Sequence, residues 1–357
     1  MIPAPPRARS LRTMSRRSLT LIIASIGAAA AIGVSVLIPV PYVILGPGPT
    51  LNTLGNDGSG QQLITISGHQ TYPTSGHLNM VTVSYEGCQG NQFNIFTAIS
   101  AWLNPHEAVV PQEEICGSGQ TSQQVQQQDT EEMTSSQQAA TAAALTELNI
   151  GFQTLVTVEA TEPGFPANGV LRENDIITEV NGHPVTSDTV LQDLIRAHPA
   201  GTTLDITVLR NGKTEQLKVA TKEQNGTPIM GVEIFDQYKF PFNVKIDIGN
   251  IGGPSAGMMF ALGIIDKLTS DNLTGGKFIA GTGEITPSGQ VEAIGGIQQK
   301  MVGARDAGAT YFLTPASNCS DTTGAVPAGM TLVKVSTLSQ AVTYLQDLKE
   351  GKPVPSC

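Results

Sequence analysis

The apolar positions of this chain begin with one long run near the N-terminus. Leu19 to Ile38 is a stretch of 20 residues without a charged side chain. About 20 apolar residues in an α-helix span the hydrocarbon core of a bilayer. The pattern therefore predicts a transmembrane helix over residues 18–40.

The flanking charges orient this predicted helix. Five arginines and no acidic residue precede it: Arg7, Arg9, Arg12, Arg16 and Arg17. Because basic segments stay on the cytoplasmic side, residues 1–17 are expected inside the cell and the chain after about Pro41 outside.

A cleaved signal peptide needs a shorter apolar region and a small-residue cleavage site, and Pro39-Val40-Pro41 offers none. Ser15-Arg16-Arg17-Ser18 also resembles a twin-arginine signal, but paired arginines before an anchor are common. The uncleaved anchor is the favoured interpretation.

The next segment, 41–147, alternates between strand and loop patterns. Gly46-Pro47-Gly48-Pro49 is interpreted as a spacer, and residues 63–66 and 78–83 as strands. Residues 117–128 are rich in Gln, Ser and Thr and predict a solvated loop. Met133, Ala140, Ala144 and Leu145 recur at helical spacing, which predicts a helix that ends near Leu148.

Residues 148–222 have a pattern of their own. Short strands are predicted at 155–158, 204–208 and 217–219, a helix at 190–195, and a hairpin turn at Arg210-Asn211-Gly212-Lys213. The turn Phe165-Pro166-Ala167 and the element from Leu171 to Gly182 make this segment resemble a PDZ domain, with Asn174 in place of the usual Gly. The resemblance implies a groove for a peptide terminus. By position, its carboxylate-binding loop is expected at Asn149, Ile150, Gly151 and Phe152, and an occluded or purely structural groove is the alternative.

The chemistry is concentrated after residue 240. Gly253-Pro254-Ser255-Ala256-Gly257 fits G-x-S-x-G, and an apolar run from Met258 to Ile265 follows, so Ser255 is expected at a loop-to-helix junction. The helix N-terminus there, with the N–H groups of Ser255 and Ala256, would stabilise a developing oxyanion. The alternative interpretation is a helix-capping serine.

A serine nucleophile needs a base, and the histidines are poorly placed to supply it. All five lie before Ser255: His69, His77, His106, His183 and His198. That order excludes an α/β-hydrolase, while a His-Asp-Ser order stays formally open. A lysine in an apolar pocket loses solvation, its pKa falls, and its neutral amine can accept the serine proton. Lys300, at the start of a predicted helix, is the candidate, although an exposed charge is the ordinary role of a helical lysine.

Several motifs together resemble the proteolytic domain of the Lon family over residues 230–345. They are Gly253 to Gly257, Gly281 to Thr286, Gly289 to Val291, Ile294 to Ile297 with Lys300, and Pro315 with Asn318. The resemblance implies Ser255 as nucleophile, Lys300 as general base, Thr282 as a hydroxyl that steadies the lysine, and Glu284 as a nearby site residue. No Walker A motif is present, so ATP-driven unfolding is not encoded in this chain.

The order of the segments is similar to bacterial membrane-anchored Lon-like proteases with a PDZ domain. An α+β fold is expected, with the PDZ-like segment inserted in or adjoining the proteolytic domain and a C-terminal tail at 346–357. The implied function is an ATP-independent serine endopeptidase at the outer side of the cytoplasmic membrane, which cleaves exported peptides or partly unfolded proteins. A non-catalytic PDZ scaffold is the alternative, and a homohexamer is expected from the resemblance alone.

Composition and charge narrow the partners. The chain is 40% hydrophobic and 14% charged with 38 Gly and 22 Pro, which excludes a coiled coil, a highly charged disordered chain and a polytopic membrane protein. Outside the five N-terminal arginines, 15 basic residues face 30 acidic ones, so nucleic-acid binding is not expected.

No C-x-x-C occurs, and neither a metal nor a cofactor is predicted. Cys88 with Cys116, and Cys319 with Cys357, are candidate disulfides, although other pairings and free thiols stay open.

Overall fold

The computed structural model describes residues 16–56, 60–88, 93–116 and 122–357, with helices and strands in comparable measure. This confirms the predicted α+β class. The described helices are α1 (Arg16–Leu37), α2 (Ile95–Trp102), α3 (Gln112–Ile115), α4 (Ser122–Glu147), α5 (Asp188–Arg196), α6 (Gly257–Leu268), α7 (Ile297–Asp306) and α8 (Leu338–Lys349), with a 3-10 helix at Ala316–Thr322.

The described strands form two six-stranded sheets and three small two-stranded ones. They are β1 (Tyr42–Asn52), β2 (Ile64–Ser67), β3 (His77–Glu86), β4 (Ala108–Pro111), β5 (Gln153–Thr161), β6 (Ile176–Val180), β7 (His183–Pro184), β8 (Thr203–Arg210), β9 (Lys213–Ala220), β10 (Lys222–Gln224), β11 (Thr227–Ile229), β12 (Val232–Lys239), β13 (Asn243–Ile246), β14 (Phe278–Gly281), β15 (Glu284–Ile285), β16 (Val291–Glu292), β17 (Tyr311–Pro315) and β18 (Thr331–Val335).

Helix α1 coincides with the N-terminal apolar run. It is long and apolar enough to cross a membrane, and its most apolar window is not buried inside the protein. Arg16 and Arg17 form its first turn, whereas the predicted tail with Arg7, Arg9 and Arg12 lies outside the described residues. Length and composition are therefore compatible with the predicted anchor.

The first six-stranded sheet has the order β18-β17-β14-β3-β1-β4. Strands β18, β17, β14 and β3 run parallel, and β1 and β4 are antiparallel to their neighbours. Alternate residues point to opposite faces. Leu78 and Met80 pack in one core with α4, α6 and α8, whereas Val81 and Ala280 pack with α7 on the other face. The sheet is thus a central layer between helices.

The second six-stranded sheet is antiparallel, in the order β12-β5-β6-β8-β9 with β7 paired to β6, and has a separate core. Its strands come between β4 and β14 in the chain, so this body interrupts the first one. Of the two predicted arrangements, inserted or adjoining, this is the inserted one. Strand β12, within the range 230–345 predicted for the proteolytic domain, pairs here with β5. Asn174 has φ +67°, which explains why Asn can replace the usual Gly.

Two local predictions were wrong. Helix α4 begins at Ser122, inside the predicted loop 117–128, of which residues 117–121 lie outside the described part. Its first turns are solvent-exposed and carry no apolar repeat to reveal the helix. The Gly46–Pro49 spacer is part of strand β1, which has a register irregularity between Pro47 and Thr50. Hydroxyls on β3 donate to the proline carbonyls there, from Thr82 Oγ1 to Pro49 at 2.8 Å and from Ser84 Oγ to Pro47 at 3.3 Å.

Both candidate disulfides are formed. Cys88 pairs with Cys116 at a Cα–Cα distance of 5.7 Å, and Cys319 pairs with Cys357 at 5.2 Å. The first bridge links the end of β3 to the end of α3. The second fixes the C-terminal tail to the 3-10 helix. Disulfides of this kind are characteristic of an oxidising compartment.

Candidate active site

Ser255 lies in the turn directly before α6. Gly253 in this turn has φ +83°, a conformation that favours glycine. Helix α6 then starts at Gly257, and every one of its residues is buried. A helix that is apolar all round is buried on all sides, which agrees with the run Met258 to Ile265. The Ser255 hydroxyl therefore lies at the N-terminus of a buried helix.

Backbone contacts fix the Ser255 turn from two sides. The Ser255 carbonyl accepts the Gly283 N–H at 2.8 Å and the Thr282 hydroxyl at 2.9 Å. The preceding carbonyl, of Pro254, accepts the Ser136 hydroxyl of α4 at 2.8 Å. Within the described part of the chain, the N–H groups of Ser255 and Ala256 donate to no other protein group. Two donors therefore remain free beside the serine hydroxyl.

Lys300 meets this turn from α7. The helix begins after Gly296, which has φ +68°, and Lys300 lies in its first turn. Lys300 Nζ is 2.7 Å from Ser255 Oγ and 3.2 Å from Thr282 Oγ1. Only 3% of the lysine surface is exposed. The three side chains predicted to act together are therefore in direct contact.

Burial determines the protonation of this lysine. It lowers the pKa of Lys300 from 10.5 to about 7, and desolvation is the sole cause. Among the described residues, no carboxylate forms an ion pair with Lys300. A large fraction of the amine is therefore neutral near pH 7 and can accept a proton. Thr282 completes the arrangement, because its hydroxyl donates to the Ser255 carbonyl and its oxygen accepts from Lys300.

Glu284 faces a different groove. It lies on β15 opposite Glu292 of β16, and with Glu132 and Pro254 it lines a groove next to α4. Burial raises the pKa of the Glu284 carboxyl, and the charges of Glu292 and Glu132 raise it further. The residue is near Thr282 in sequence, but it does not line the cleft that holds Ser255 and Lys300.

The cleft around Ser255 is open and mainly apolar, with a volume of about 410 Å³. Among its described lining residues the one carboxylate is Asp129 of α4, which accepts a hydrogen bond from Tyr85 of β3 at 3.2 Å. Burial raises the pKa of Asp129, and the Tyr85 hydroxyl opposes that effect. Sequence reasoning missed both residues, because they lie more than 100 positions before Ser255 and belong to no motif. The apolar lining includes Leu45, Met80, Val83, Ile115, Met133 and Ile251.

The predicted carboxylate-binding loop has a different environment from the one expected. Asn149, at φ +54°, ends α4: its N–H donates to Thr146 O, and the N–H of Ile150 donates to Leu145 O at 2.8 Å. This is the Schellman arrangement of a helix C-terminus. Ile150 and Phe152 pack against the core of the first body. Two N–H groups of the loop are thus occupied in ending the helix.

An apolar groove of about 300 Å³ lies elsewhere in the second body, between α5 and the segment 228–234. Leu191 and Ile195 of α5 face Met230 and Ile234 across it. Strand β12 is one of the two edges of its sheet, so a peptide could pair with it as an added strand. The only signal in the sequence is the alternation of apolar residues around Gly231, which is too short to identify a groove.

Comparison with known proteins finds two families in this chain. The matched ranges do not coincide with the two bodies, since the first range starts inside α4 and the second includes β12. Residues 127–221 match the PDZ domain family, and residues 231–346 match the Lon protease (S16) C-terminal proteolytic domain. Lon protease 1 of Bacillus subtilis is 30% identical over 123 residues, which are 33% of this chain and 16% of that protein. Lon protease of Clostridioides difficile is 48% identical over 63 residues, 18% of this chain and 8% of that protein.

Among solved structures, the PDZ domain of an SdrC-like protein from Listeria innocua is similar to this chain. It is 28% identical with a TM-score of 0.22, and the match covers 22% of this chain and 92% of that one. The two family matches by themselves show that the chain contains a PDZ domain and a Lon-type proteolytic domain. This confirms the resemblance to Lon-like, PDZ-containing proteases that the motifs predicted.

Proposed function

We propose that this chain is a serine endopeptidase in which Ser255 is the nucleophile and Lys300 the general base. The observation that carries the proposal is the 2.7 Å contact between Lys300 Nζ and Ser255 Oγ, made by a buried amine. A lysine whose pKa lies near 7 is matched to proton transfer at neutral pH. The Lon-type proteolytic domain over residues 231–346 supports the same reaction class.

The reaction follows from the positions of the groups. Ser255 Oγ attacks the peptide carbonyl while Lys300 takes its proton, and the free N–H groups of Ser255 and Ala256 hold the oxyanion. Lys300 then gives that proton to the leaving amine. A water, deprotonated by the Lys300 amine, then hydrolyses the acyl-enzyme, and Ser255 is regenerated. Thr282 holds Lys300 in register, since it accepts one of the amine's N–H groups and leaves the lone pair for the serine proton.

The substrates we propose are exported peptides or partly unfolded proteins, cleaved without ATP. An open cleft with apolar walls suits extended chains, whereas a folded protein could not enter it. The PDZ domain, through its groove between α5 and the segment 228–234, would engage or gate the substrate terminus. Helix α1 would anchor the chain with residues 1–17 in the cytoplasm and the catalytic body outside. The two disulfides are consistent with that side of the membrane.

The domain limits predicted from the sequence form part of this proposal. Residues 148–222 would act as the PDZ unit together with strand β12, which pairs in its sheet although it lies within the range 230–345. Residues 41–147 would pack with the rest of the proteolytic unit at 230–345. The homohexamer stays an expectation from the resemblance.

The test is cleavage of an unstructured protein by the full-length chain in detergent. Ser255→Ala and Lys300→Ala should each lower kcat/KM by at least about 10³-fold, the range typical of a lost nucleophile or base. Ser339→Ala and Lys334→Ala replace exposed residues of the same types and should retain wild-type turnover. The wild-type rate should rise with pH through about 7, because only the neutral amine accepts a proton. Normal turnover by Lys300→Ala would refute the proposed mechanism.

A further inference from the structure

Helix α2 carries an apolar face that the other described residues leave uncovered. Phe96 and Ile99 are each 46% exposed, Trp102 is 73% exposed, and Leu103, directly after the helix, is 70% exposed. Their spacing of three to four residues puts them on one side of the helix. On the opposite side Ala98 and Ala101 are buried.

The helix is held firmly despite this exposure. The Asn94 side chain caps its N-terminus and accepts the N–H groups of Phe96 and Thr97. The helix contacts β1 and β4 of the first sheet. The apolar face is therefore a fixed surface and not the result of a frayed segment.

The position of α2 identifies what covers this face. Helices α1 and α2 contact each other, and the Val40 N–H donates to the Phe93 carbonyl at 3.1 Å, directly between the end of α1 and the start of α2. A bridge between Pro39 and Asn94 makes the same connection. The exposed apolar surface continues from α2 to Leu37 and Ile38 at the end of α1. The face thus begins where the proposed membrane helix emerges.

We propose that α2 lies in the interface of the bilayer that α1 crosses, with Phe96, Ile99, Trp102 and Leu103 among the headgroups and upper acyl chains. This inference rests on the proposed membrane anchor. Helices of this type bury their apolar face about 5–10 Å into the headgroup–acyl boundary. Tryptophan is enriched at that depth, where its ring is apolar and its N–H can still reach polar groups.

The lipid chemistry follows from the charges. Helix α2 has no charged residue, and α3, which packs on the same two strands, carries Glu113 and Glu114 and no basic residue. Docking is therefore driven by apolar area and needs no anionic lipid. The consequence is a body held against the membrane at two adjacent points, α1 and α2, so that it cannot swing freely on a single anchor.

Trp102 provides a direct probe, because it is the sole tryptophan of the chain. The full-length protein is reconstituted into phosphatidylcholine vesicles in which the acyl chains are brominated at a shallow or a deep position. The Trp102 emission should be blue-shifted and quenched, more strongly by shallow bromines than by deep ones. Added salt should leave the quenching unchanged. The triple variant Phe96→Ser, Ile99→Ser, Leu103→Ser should lose most of it.

Two single-tryptophan variants serve as controls in the Trp102→Phe background. Ile26→Trp puts the probe in the middle of α1 and tests the anchor, and Phe235→Trp puts it on exposed β12 of the second sheet, where no quenching is expected. Quenching of the α1 probe with none of Trp102 would overturn the docking proposal and leave the anchor standing. Absence of quenching from both would overturn the anchor as well. A blue-shifted but unquenched Trp102 in a cross-linkable dimer would show that a second copy covers the face, and the docking proposal would then be wrong.

Discussion

Replacement of Lys300 by methionine tests whether burial is what makes this lysine a base. Methionine fills a similar volume and has no charge to desolvate. The pKa of Lys300 is about 7 in the folded chain, against an ordinary value of 10.5. At 1.36 kcal/mol for each tenfold change in proton affinity, that difference corresponds to about 5 kcal/mol of unfavourable burial. We therefore expect Lys300→Met to abolish proteolysis and to raise the free energy of unfolding at pH 7 by up to about 5 kcal/mol.

The pH dependence gives this prediction its sign. Between pH 7 and 10.5 the unfolded lysine is protonated and the folded one is neutral, so the unfolded state binds more protons. The stability of the wild type then rises with pH across that window. Lys300→Met lacks this dependence. Its advantage over the wild type should be largest at pH 7 and below and should fall toward zero by about pH 10.5.

Urea unfolding followed by circular dichroism in a mild detergent, at steps from pH 6.5 to 10.5, measures the difference. Lys334→Met, an exposed lysine on β18 of the same body, is the matched control and should show no such trend. A Lys300→Met chain that is less stable than the wild type at pH 7 would refute the reasoning. So would an advantage that stays constant up to pH 10.5.

Three other perturbations have defined outcomes. Arg210 donates to both carboxylate oxygens of buried Asp175, at 2.8 and 2.7 Å. Arg210→Ala should therefore destabilise the second body by about 3–5 kcal/mol, and an unchanged unfolding profile in calorimetry would contradict this. Asp129→Asn should lower kcat/KM about fivefold for peptides with Lys or Arg beside the scissile bond, because one partly exposed ion pair contributes roughly 1 kcal/mol. An equal loss for neutral peptides would show that Asp129 does not bind a basic side chain of the substrate. Reduction of Cys319–Cys357, whose cysteines are 38 residues apart, should cost about 4 kcal/mol of loop-closure entropy; an unfolding midpoint insensitive to dithiothreitol would exclude it.

Local features of the fold were predictable because their causes lie within a few residues. The hairpin at Arg210–Lys213 has Asn211 at φ +51° and Gly212 at φ +76°, as the sequence pair Asn-Gly requires. The apolar run after Ser255 forms the buried helix α6. Where local pattern was misleading, tertiary pairing explains it. Pro47 and Pro49 read as a spacer, yet the strand forms because β3 pairs with one edge of β1.

Position along the chain does not predict a residue's surroundings, as the expected peptide loop and Glu284 show. The loop at 149–152 comes directly before a strand, but its first N–H groups cap the C-terminus of α4, which packs on α6. Glu284 follows Thr282 by two residues, yet its side chain lines the groove beside Glu292 and not the cleft that holds Ser255. Neither outcome could be inferred without the packing partners.

The sequence by itself determined which groups are available: a serine in a Gly-Pro-Ser-Ala-Gly turn, a lysine 45 positions later, an apolar run before the body, and four cysteines whose pairing stayed open. The tertiary structure alone decided that Lys300 Nζ lies 2.7 Å from Ser255 Oγ and that its charge is removed from water. The physical reason is that reactivity here depends on desolvation. Desolvation is produced by α6, α7 and the central sheet together, and their residues are distant in sequence and adjacent only once the chain has folded.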